Sequence, residues 1–163
     1  MSVNKDRPHI LILPEDDANR QLADAFHKKV DWTRYKQMQV LPEVGGWRVV
    51  VELFRLDHII GMERYPERFM ILLIDLDGYE DRLEDVKADI PEYLADRVFV
   101  LSTLTEPEDL KREGLGSYET IGSVLASECR EETYTIQGWD HDLLKHNKSE
   151  LDRLREHVRP ILF

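Results

Sequence analysis

The stretch Phe69-Met-Ile-Leu-Leu-Ile-Asp75-Leu-Asp77-Gly78 constrains the fold more than any other part of the chain. Consecutive apolar residues lead directly into an Asp-x-Asp pair, which a glycine follows. The apolar run is short, rich in branched side chains and free of polar alternation, which is typical of a strand covered on both faces. The stretch therefore predicts a central strand of a parallel sheet.

The two aspartates of this stretch stand where a ligand would bind in such a sheet. Side chains alternate along a strand, so Asp75 and Asp77 are expected to project from the same side. Open parallel sheets bind ligands at the carboxyl ends of their strands. Two carboxylates there repel each other unless a cation lies between them, and Mg²⁺ takes oxygen ligands of this kind. The alternative is that one aspartate caps the next helix while the other is solvated.

Strands and helices alternate along most of the chain. Apolar runs predict three further strands, at 9–13, 38–41 and 97–101. The alternation predicts an α/β fold with a Rossmann-like open sheet, mostly parallel, with helices on both faces. We expect a single domain over 1–163 with a helical C-terminal extension from about 117. Within this extension, 133–136 has strand character, and Ser149 is expected to cap a final helix.

Two further groups of acidic residues follow predicted strands. Glu15-Asp16-Asp17 comes after the first strand, and Glu106 and Glu108 come after the fourth. Carboxylates that converge from separate strand ends make an oxygen-rich site, where one or two metal ions could activate water. Acidic residues before a helix also stabilise its N-terminus, so capping is an alternative for these residues, although it accounts less well for Glu15, the residue nearest the end of the strand. One cap needs one side chain, however, whereas the first group has three acids in a row.

Gly45 and Gly46 separate the second predicted strand from the next helix. Paired glycines at such a point let the backbone turn tightly and approach a ligand closely. Gly-Gly is also an ordinary turn, so this feature indicates a site only together with the acids. Trp47, which begins the helix, fits either packing or stacking on a base.

The charge of the chain restricts its partners. The formal net charge is −11, and non-specific binding to nucleic acid comes mainly from Lys and Arg, so metal ions or a partner would have to supply positive charge. The single cysteine, Cys129, cannot form an internal disulfide. No stretch has the length of a membrane span or the apolar core of a signal peptide. We therefore expect a cytoplasmic protein without a membrane partner.

The order of the motifs resembles the TOPRIM domain, the module of topoisomerases, primases, recombination-mediator proteins and overcoming-lysogenization-defect nucleases. The resemblance lies in a glutamate after the first strand, Gly-Gly after the second and Asp-x-Asp after the third. It covers roughly the first half of the chain, at Leu13–Asp17, Leu41–Gly46 and Leu73–Gly78. It is nearest to the overcoming-lysogenization-defect branch and implies a nuclease that depends on Mg²⁺ or Mn²⁺. The implied substrate is nucleic acid, with DNA favoured over RNA.

The resemblance also implies roles for individual residues. Glu15 takes the place of the acid–base glutamate of the family, and Asp75 and Asp77 take that of the metal-binding pair. The family often has Glu-Gly at the first motif, where this chain has Glu15-Asp16-Asp17, and Asp16 or Asp17 would assist as a further metal ligand. Each of these roles is an expectation from the family pattern.

In the nuclease branch, a further acidic residue follows the fourth strand, where Glu106 or Glu108 stands here. Several similar proteins are single TOPRIM domains that work beside an ATPase in defence against phage. The resemblance therefore also implies an ATPase partner and a place in a larger assembly.

Two other hypotheses remain open. The acids could belong to a non-catalytic TOPRIM-like adaptor that holds a structural metal or contacts a basic partner protein. The chain also resembles a response-regulator receiver domain, with Asp75 as the phosphate acceptor and Ser102 or Thr103 after the fourth strand. A receiver needs a lysine after its fifth strand, and no lysine stands between Lys111 and Lys145. The receiver pattern also leaves Gly-Gly and the second acid of Asp-x-Asp unexplained.

Overall fold

The fold is an α/β sandwich built on one parallel sheet, and the computed structural model describes residues 2–163. The strands are His9–Pro14 (β1), Met38–Val40 (β2), Arg68–Asp75 (β3) and Val98–Thr103 (β4). They lie in the order β2-β1-β3-β4, and every pairing is parallel. The predicted Rossmann-like open sheet is confirmed, and β1 and β3 occupy its centre.

Helices connect the strands and continue beyond the last one. They are Asp17–His27 (α1), Trp47–Leu53 (α2), Ile59–Arg64 (α3), Asp81–Ala88 (α4), Pro107–Arg112 (α5), Tyr118–Glu131 (α6), Lys148–His157 (α7) and Arg159–Leu162 (α8). A π-helical segment, Phe54–His58, joins α2 to α3. Short 3₁₀ helices precede β2, β4 and α7. Within residues 2–163, no helix combines the length and the apolar character that crossing a membrane requires.

The sheet separates two hydrophobic cores, as the absence of polar alternation in the central strand predicts. Ile71 of β3 faces a core formed with α1, α6, α7 and α8. Met70 and Leu72 face a second core formed with α2, α3 and α4. Because neighbouring residues of β3 enter opposite cores, the strand is apolar from Phe69 to Ile74, and its one earlier polar residue, Arg68, bonds to the buried His9 at the start of the sheet. Both faces of the sheet are thus covered by helices.

Side chains from the C-terminal extension cover the outer edge of β4. Glu150 accepts a hydrogen bond from the Val100 N–H at 2.8 Å. Asn147 accepts one from the Ser102 N–H at 2.9 Å and donates one to the Ser102 carbonyl at 2.7 Å. An exposed strand edge leaves such backbone groups unpaired. The start of α7 therefore lies where a fifth strand of an open sheet would pair.

Two expectations for the extension are wrong. Residues 133–136 form no strand, since the buried Glu128 carboxylate accepts hydrogen bonds from the Thr135 and Trp139 N–H groups and holds the segment in turns. Ser149 does not cap the final helix, because Asn147 is the N-cap residue and α7 begins one residue later. In both cases, a buried side chain that bonds to backbone groups overrides the structure that the local sequence pattern predicts.

Candidate functional site

Glu15 and Asp75 lie together at the carboxyl edge of the sheet. Glu15 follows β1, and its carbonyl accepts a hydrogen bond from the Gly45 N–H at 2.8 Å. At the end of the β1–β3 ladder, its side chain takes the place of a backbone acceptor, and Oε2 accepts a hydrogen bond from the Asp75 N–H at 2.6 Å. Both acids are buried, with only 9% of Glu15 and 4% of Asp75 exposed. The sequence prediction that these two positions converge agrees with this geometry.

Asn19 links Asp75 to Asp16 from the first turn of α1. Asp16 Oδ1 accepts hydrogen bonds from the backbone N–H of Asn19 at 2.9 Å and from its amide Nδ2 at 3.0 Å. The same Nδ2 donates to Asp75 Oδ1 at 2.9 Å. Asp16 thus caps α1, as the capping alternative predicts, and also lies beside Asp75. Asp16 is therefore both the cap of α1 and a member of the acidic group.

The proximity of the acids changes their protonation. Burial raises the pKa of Asp75 to about 8, and the negative charges of Asp16 and Glu15 act in the same direction against the Asn19 hydrogen bond. Burial also raises the pKa of Glu15, to which the charges of Asp16 and Asp77 contribute. Asp75 therefore holds a proton at neutral pH. A cation bound here would stabilise the charged carboxylates and so oppose these shifts.

Asp77 lies at the rim of this group, paired with an arginine. The strand ends at Asp75, and Asp77 has a left-handed backbone with φ of 49°. The alternation argument that placed both side chains on one side therefore does not extend to Asp77. Its Oδ2 accepts a hydrogen bond from Arg82 Nη1 at 2.7 Å, and the same Nη1 donates to the Asp75 carbonyl at 2.9 Å. The guanidinium lies over the ring of Trp47, 5.0 Å from its centroid.

Three other predicted acids lie outside the buried group. Asp17 is exposed and bonds to side chains of its own helix. Glu106 has no side-chain capping bond and approaches Arg112 at 3.8 Å, while Glu108 lies in the first turn of α5. Burial raises the pKa of Tyr118, and the charges of Glu108, Asp16, Asp75 and Glu106 add to that effect. Glu106 and Glu108 thus share a neighbourhood with the buried acids but do not contact them through hydrogen bonds.

The paired glycines border the site through the Gly45 N–H that bonds to Glu15. Gly45 has φ of 92° and Gly46 has φ of 154°, backbone angles that residues other than glycine rarely adopt. A Cβ atom on Gly45 would have no heavy atom within 4 Å, so the space above this turn is open. The backbone between β2 and α2 is therefore not covered by other atoms at Gly45, and the approach of a ligand there stays a prediction.

The donor atoms of Glu15, Asp75 and the half-buried Asp16 suit a hard divalent cation. Glu15, Asp16 and Asp75 supply carboxylate oxygens, which Mg²⁺ and Mn²⁺ prefer. The amide oxygen of Asn19 is buried and has no hydrogen-bond partner, so a further oxygen donor is present beside them. Within residues 2–163, no group of three or more His, Cys, Asp and Glu side chains is already arranged to hold a metal ion. Binding would require the side chains that now share the Asn19 amide to rearrange.

Asn19 and Arg82 are the two site residues that sequence reasoning missed. Asn19 stands three residues after Asp16, a spacing at which a polar side chain in the first turn of a helix can reach back to the cap. Arg82 is the first basic residue after Asp-x-Asp and lies at the start of α4. In each case a spacing signal existed, but it pointed to helix capping or surface charge rather than to the site.

No protein-family model matches this chain, and neither a curated protein nor a solved structure matches it.

Proposed function

We propose that the protein is a phosphodiesterase of TOPRIM type, dependent on Mg²⁺ or Mn²⁺, that cleaves nucleic acid. The observation that supports the proposal is the convergence of the buried Glu15 and Asp75 with the half-buried Asp16 at the carboxyl edge of the sheet, which raises the pKa of Asp75. Acids far apart in the sequence rarely meet without a partner cation, because burying unpaired charge is costly. Phosphodiester cleavage is a reaction that such a set of oxygen donors serves.

Each residue of the candidate site would have a separate role in the reaction. Asp75 and Asp16, with the Asn19 amide oxygen, would hold the cation, which supplies Lewis-acid stabilisation of charge on the phosphate when bound. Glu15 has a raised pKa, which brings it closer to the operating pH of a general acid or base. Arg82 carries a positive charge at the rim and would attract a phosphate group. The open turn at Gly45 leaves room for the backbone of a nucleic acid.

The receiver hypothesis is the second candidate, and the strand order favours it. The order β2-β1-β3-β4 equals the first part of the doubly wound order 2-1-3-4-5 of receiver-type sheets. Two observations oppose it. Asp75 is 4% exposed, which hinders its phosphorylation, and Asn147 and Glu150 bond to the edge of β4 where the fifth strand would bring the required lysine.

Cleavage of supercoiled plasmid tests the proposal. We expect Mg²⁺- or Mn²⁺-dependent nicking by the wild type and, since general acid–base catalysis contributes roughly 10²- to 10⁴-fold, a loss of about 100-fold or more in Glu15→Gln. Asp75→Asn should lose the metal dependence and the activity together. The matched control is Asp17→Asn, which removes an acid of the same triplet outside the buried group and should keep activity within about twofold, as surface substitutions away from a site usually do.

Two further measurements distinguish the alternative hypotheses. Cation binding without cleavage favours the adaptor hypothesis, and a stable acyl-phosphate after treatment with acetyl phosphate favours the receiver. Nicking that is unchanged in Glu15→Gln and Asp75→Asn would contradict the proposal.

A further inference from the structure

A groove that joins basic and aromatic side chains lies at the end of the sheet opposite the acids. We call it the Trp32 groove; it has a volume of about 520 Å³, and its polar and aromatic lining includes Arg7, Lys28, Trp32, Tyr35 and Lys36. Arg7 precedes β1 and Lys36 precedes β2, so the groove lies at the amino ends of these strands. No acidic residue lines it.

The two aromatic side chains of the groove are exposed, and Tyr35 is held in place by the neighbouring His27. Trp32 is 87% exposed, although burial of so large an apolar ring would ordinarily be favourable. Tyr35 stacks on the buried His27, with ring centroids 4.0 Å apart and planes 10° apart. His27 Nε2 also donates a hydrogen bond to the Tyr35 carbonyl at 2.9 Å. These contacts fix the segment that carries Trp32, so its ring is presented on a preformed surface.

The groove is positive although the chain as a whole is strongly negative. Arg7 and Lys36 form no ion pair within residues 2–163, and the ion-pair partner of Lys28 is the exposed Glu119, at 3.8 Å. Asp31, which begins the same segment as Trp32, is paired with Arg130 at 3.3 Å. In a chain of net charge −11, three cations without a lining acid form a local attraction for anions.

We propose that the Trp32 groove binds single-stranded nucleic acid. Cations that follow a phosphate backbone and an exposed aromatic ring on which a base stacks are the two components of such sites. An acidic peptide would use the cations but would give the exposed indole no flat partner. Since β1 has six residues, the groove and Glu15 are separated by roughly 20 Å, at about 3.3 Å per residue. The binding is therefore separate from the cleavage proposed above and needs no divalent cation.

Fluorescence anisotropy of a labelled oligothymidine, measured with the full chain in EDTA, tests this proposal. We expect Trp32→Ala to weaken binding about tenfold, the effect of losing one stacked base. The double variant Arg7→Glu/Lys36→Glu should weaken it at least as much. Contacts to about three phosphates predict that log K falls with log salt with a slope of about −2. A duplex of equal length should bind more weakly, since its bases are not free to stack.

Matched controls separate this site from general effects. Tyr93 is 64% exposed but bonds to Glu63, so Tyr93→Ala removes an exposed aromatic ring next to an acid and should leave binding unchanged. Lys145→Glu/Lys148→Glu alters the net charge by the same amount as the groove double variant and should have a much smaller effect. Because the Trp32 side chain is exposed, its alanine variant should unfold at the wild-type temperature.

Three results would overturn the proposal. They are the absence of binding at low salt, equal affinity of the wild type and Trp32→Ala, and displacement of the oligonucleotide by polyglutamate as effectively as by unlabelled oligothymidine. The last result would assign the groove to acidic polypeptides. None of these measurements depends on cleavage, so failure here and failure of the nuclease proposal are distinguishable.

Discussion

Asp75→Asn is expected to make the metal-free protein more stable than the wild type, by on the order of 5 kcal/mol near pH 8. The folded protein holds the Asp75 proton up to about pH 8, whereas the ordinary pKa is 3.8. A carboxyl with a raised pKa contributes stability that is complete below its ordinary pKa and is lost as the pH rises through the folded value. Asparagine is neutral throughout and keeps a similar shape, so it avoids this loss.

Urea unfolding in EDTA at several pH values measures this effect. Between about pH 4 and pH 8, the stability of the wild type should fall relative to that of Asp75→Asn by up to about 1.4 kcal/mol per pH unit. Other titrating groups are common to both proteins and largely cancel in the difference. Asp17→Asn, which changes an exposed acid of lowered pKa, should give no such stabilisation. Parallel stability curves for the wild type and Asp75→Asn would show that Asp75 is not protonated in the folded state.

Glu128→Ala should destabilise the protein by on the order of 4 kcal/mol, since hydrogen bonds to a charged group contribute roughly 1.5 to 3 kcal/mol each. The Glu128 carboxylate is 5% exposed and accepts hydrogen bonds from the Thr135 N–H, the Thr135 hydroxyl and the Trp139 N–H. These bonds hold the turns that bring Trp139 into the first core. Without the carboxylate, the buried N–H groups lose their partners and Trp139 loses its anchor.

Gly138→Ala should have a similar effect by a different route, because a Cβ atom there would overlap the Glu128 carboxylate. The matched control is Glu119→Ala, which removes an exposed glutamate from the same helix, α6, and should change stability by less than about 0.5 kcal/mol. Chemical denaturation gives these values. If Glu128→Ala were as stable as Glu119→Ala, the carboxylate would not organise the segment that follows α6.

The central sheet could be predicted because its signals are local. The apolar run before Asp75 has no polar face, and the structure indeed places its residues in two cores. The sequence placed Glu15 and Asp75 at the carboxyl edge of one sheet, and they meet because β1 and β3 are parallel neighbours in the structure, with Pro14 paired to Leu73 in register. Positions that end adjacent parallel strands must lie at one edge. The fold and the core of the candidate site were therefore accessible from the sequence.

The remainder depended on contacts between distant residues that leave no periodic pattern. The turn that directs Asp77 to Arg82 needs a left-handed residue that is not glycine, which a strand alternation argument does not anticipate. Residues 133–136 have the composition of a strand, but a buried carboxylate from α6 occupies their backbone groups. Asn147 likewise bonds to Ser102, 45 positions earlier in the chain. Such side-chain-to-backbone bonds override local preference and become visible only in three dimensions.

The proposed function depends most on one property, the binding of a divalent cation by Asp75 and Asp16, with the Asn19 amide oxygen, beside Glu15. Calorimetric titration with Mn²⁺ and with Mg²⁺ near pH 7, repeated in two buffers of different ionisation enthalpy, tests it most directly. We expect one ion per chain with release of about one proton, because the ion replaces the proton that Asp75 holds. Asp17→Asn should bind as the wild type does, and Asp75→Asn should not bind. Failure of the wild type to bind, or equal binding by Asp75→Asn, would contradict the claim.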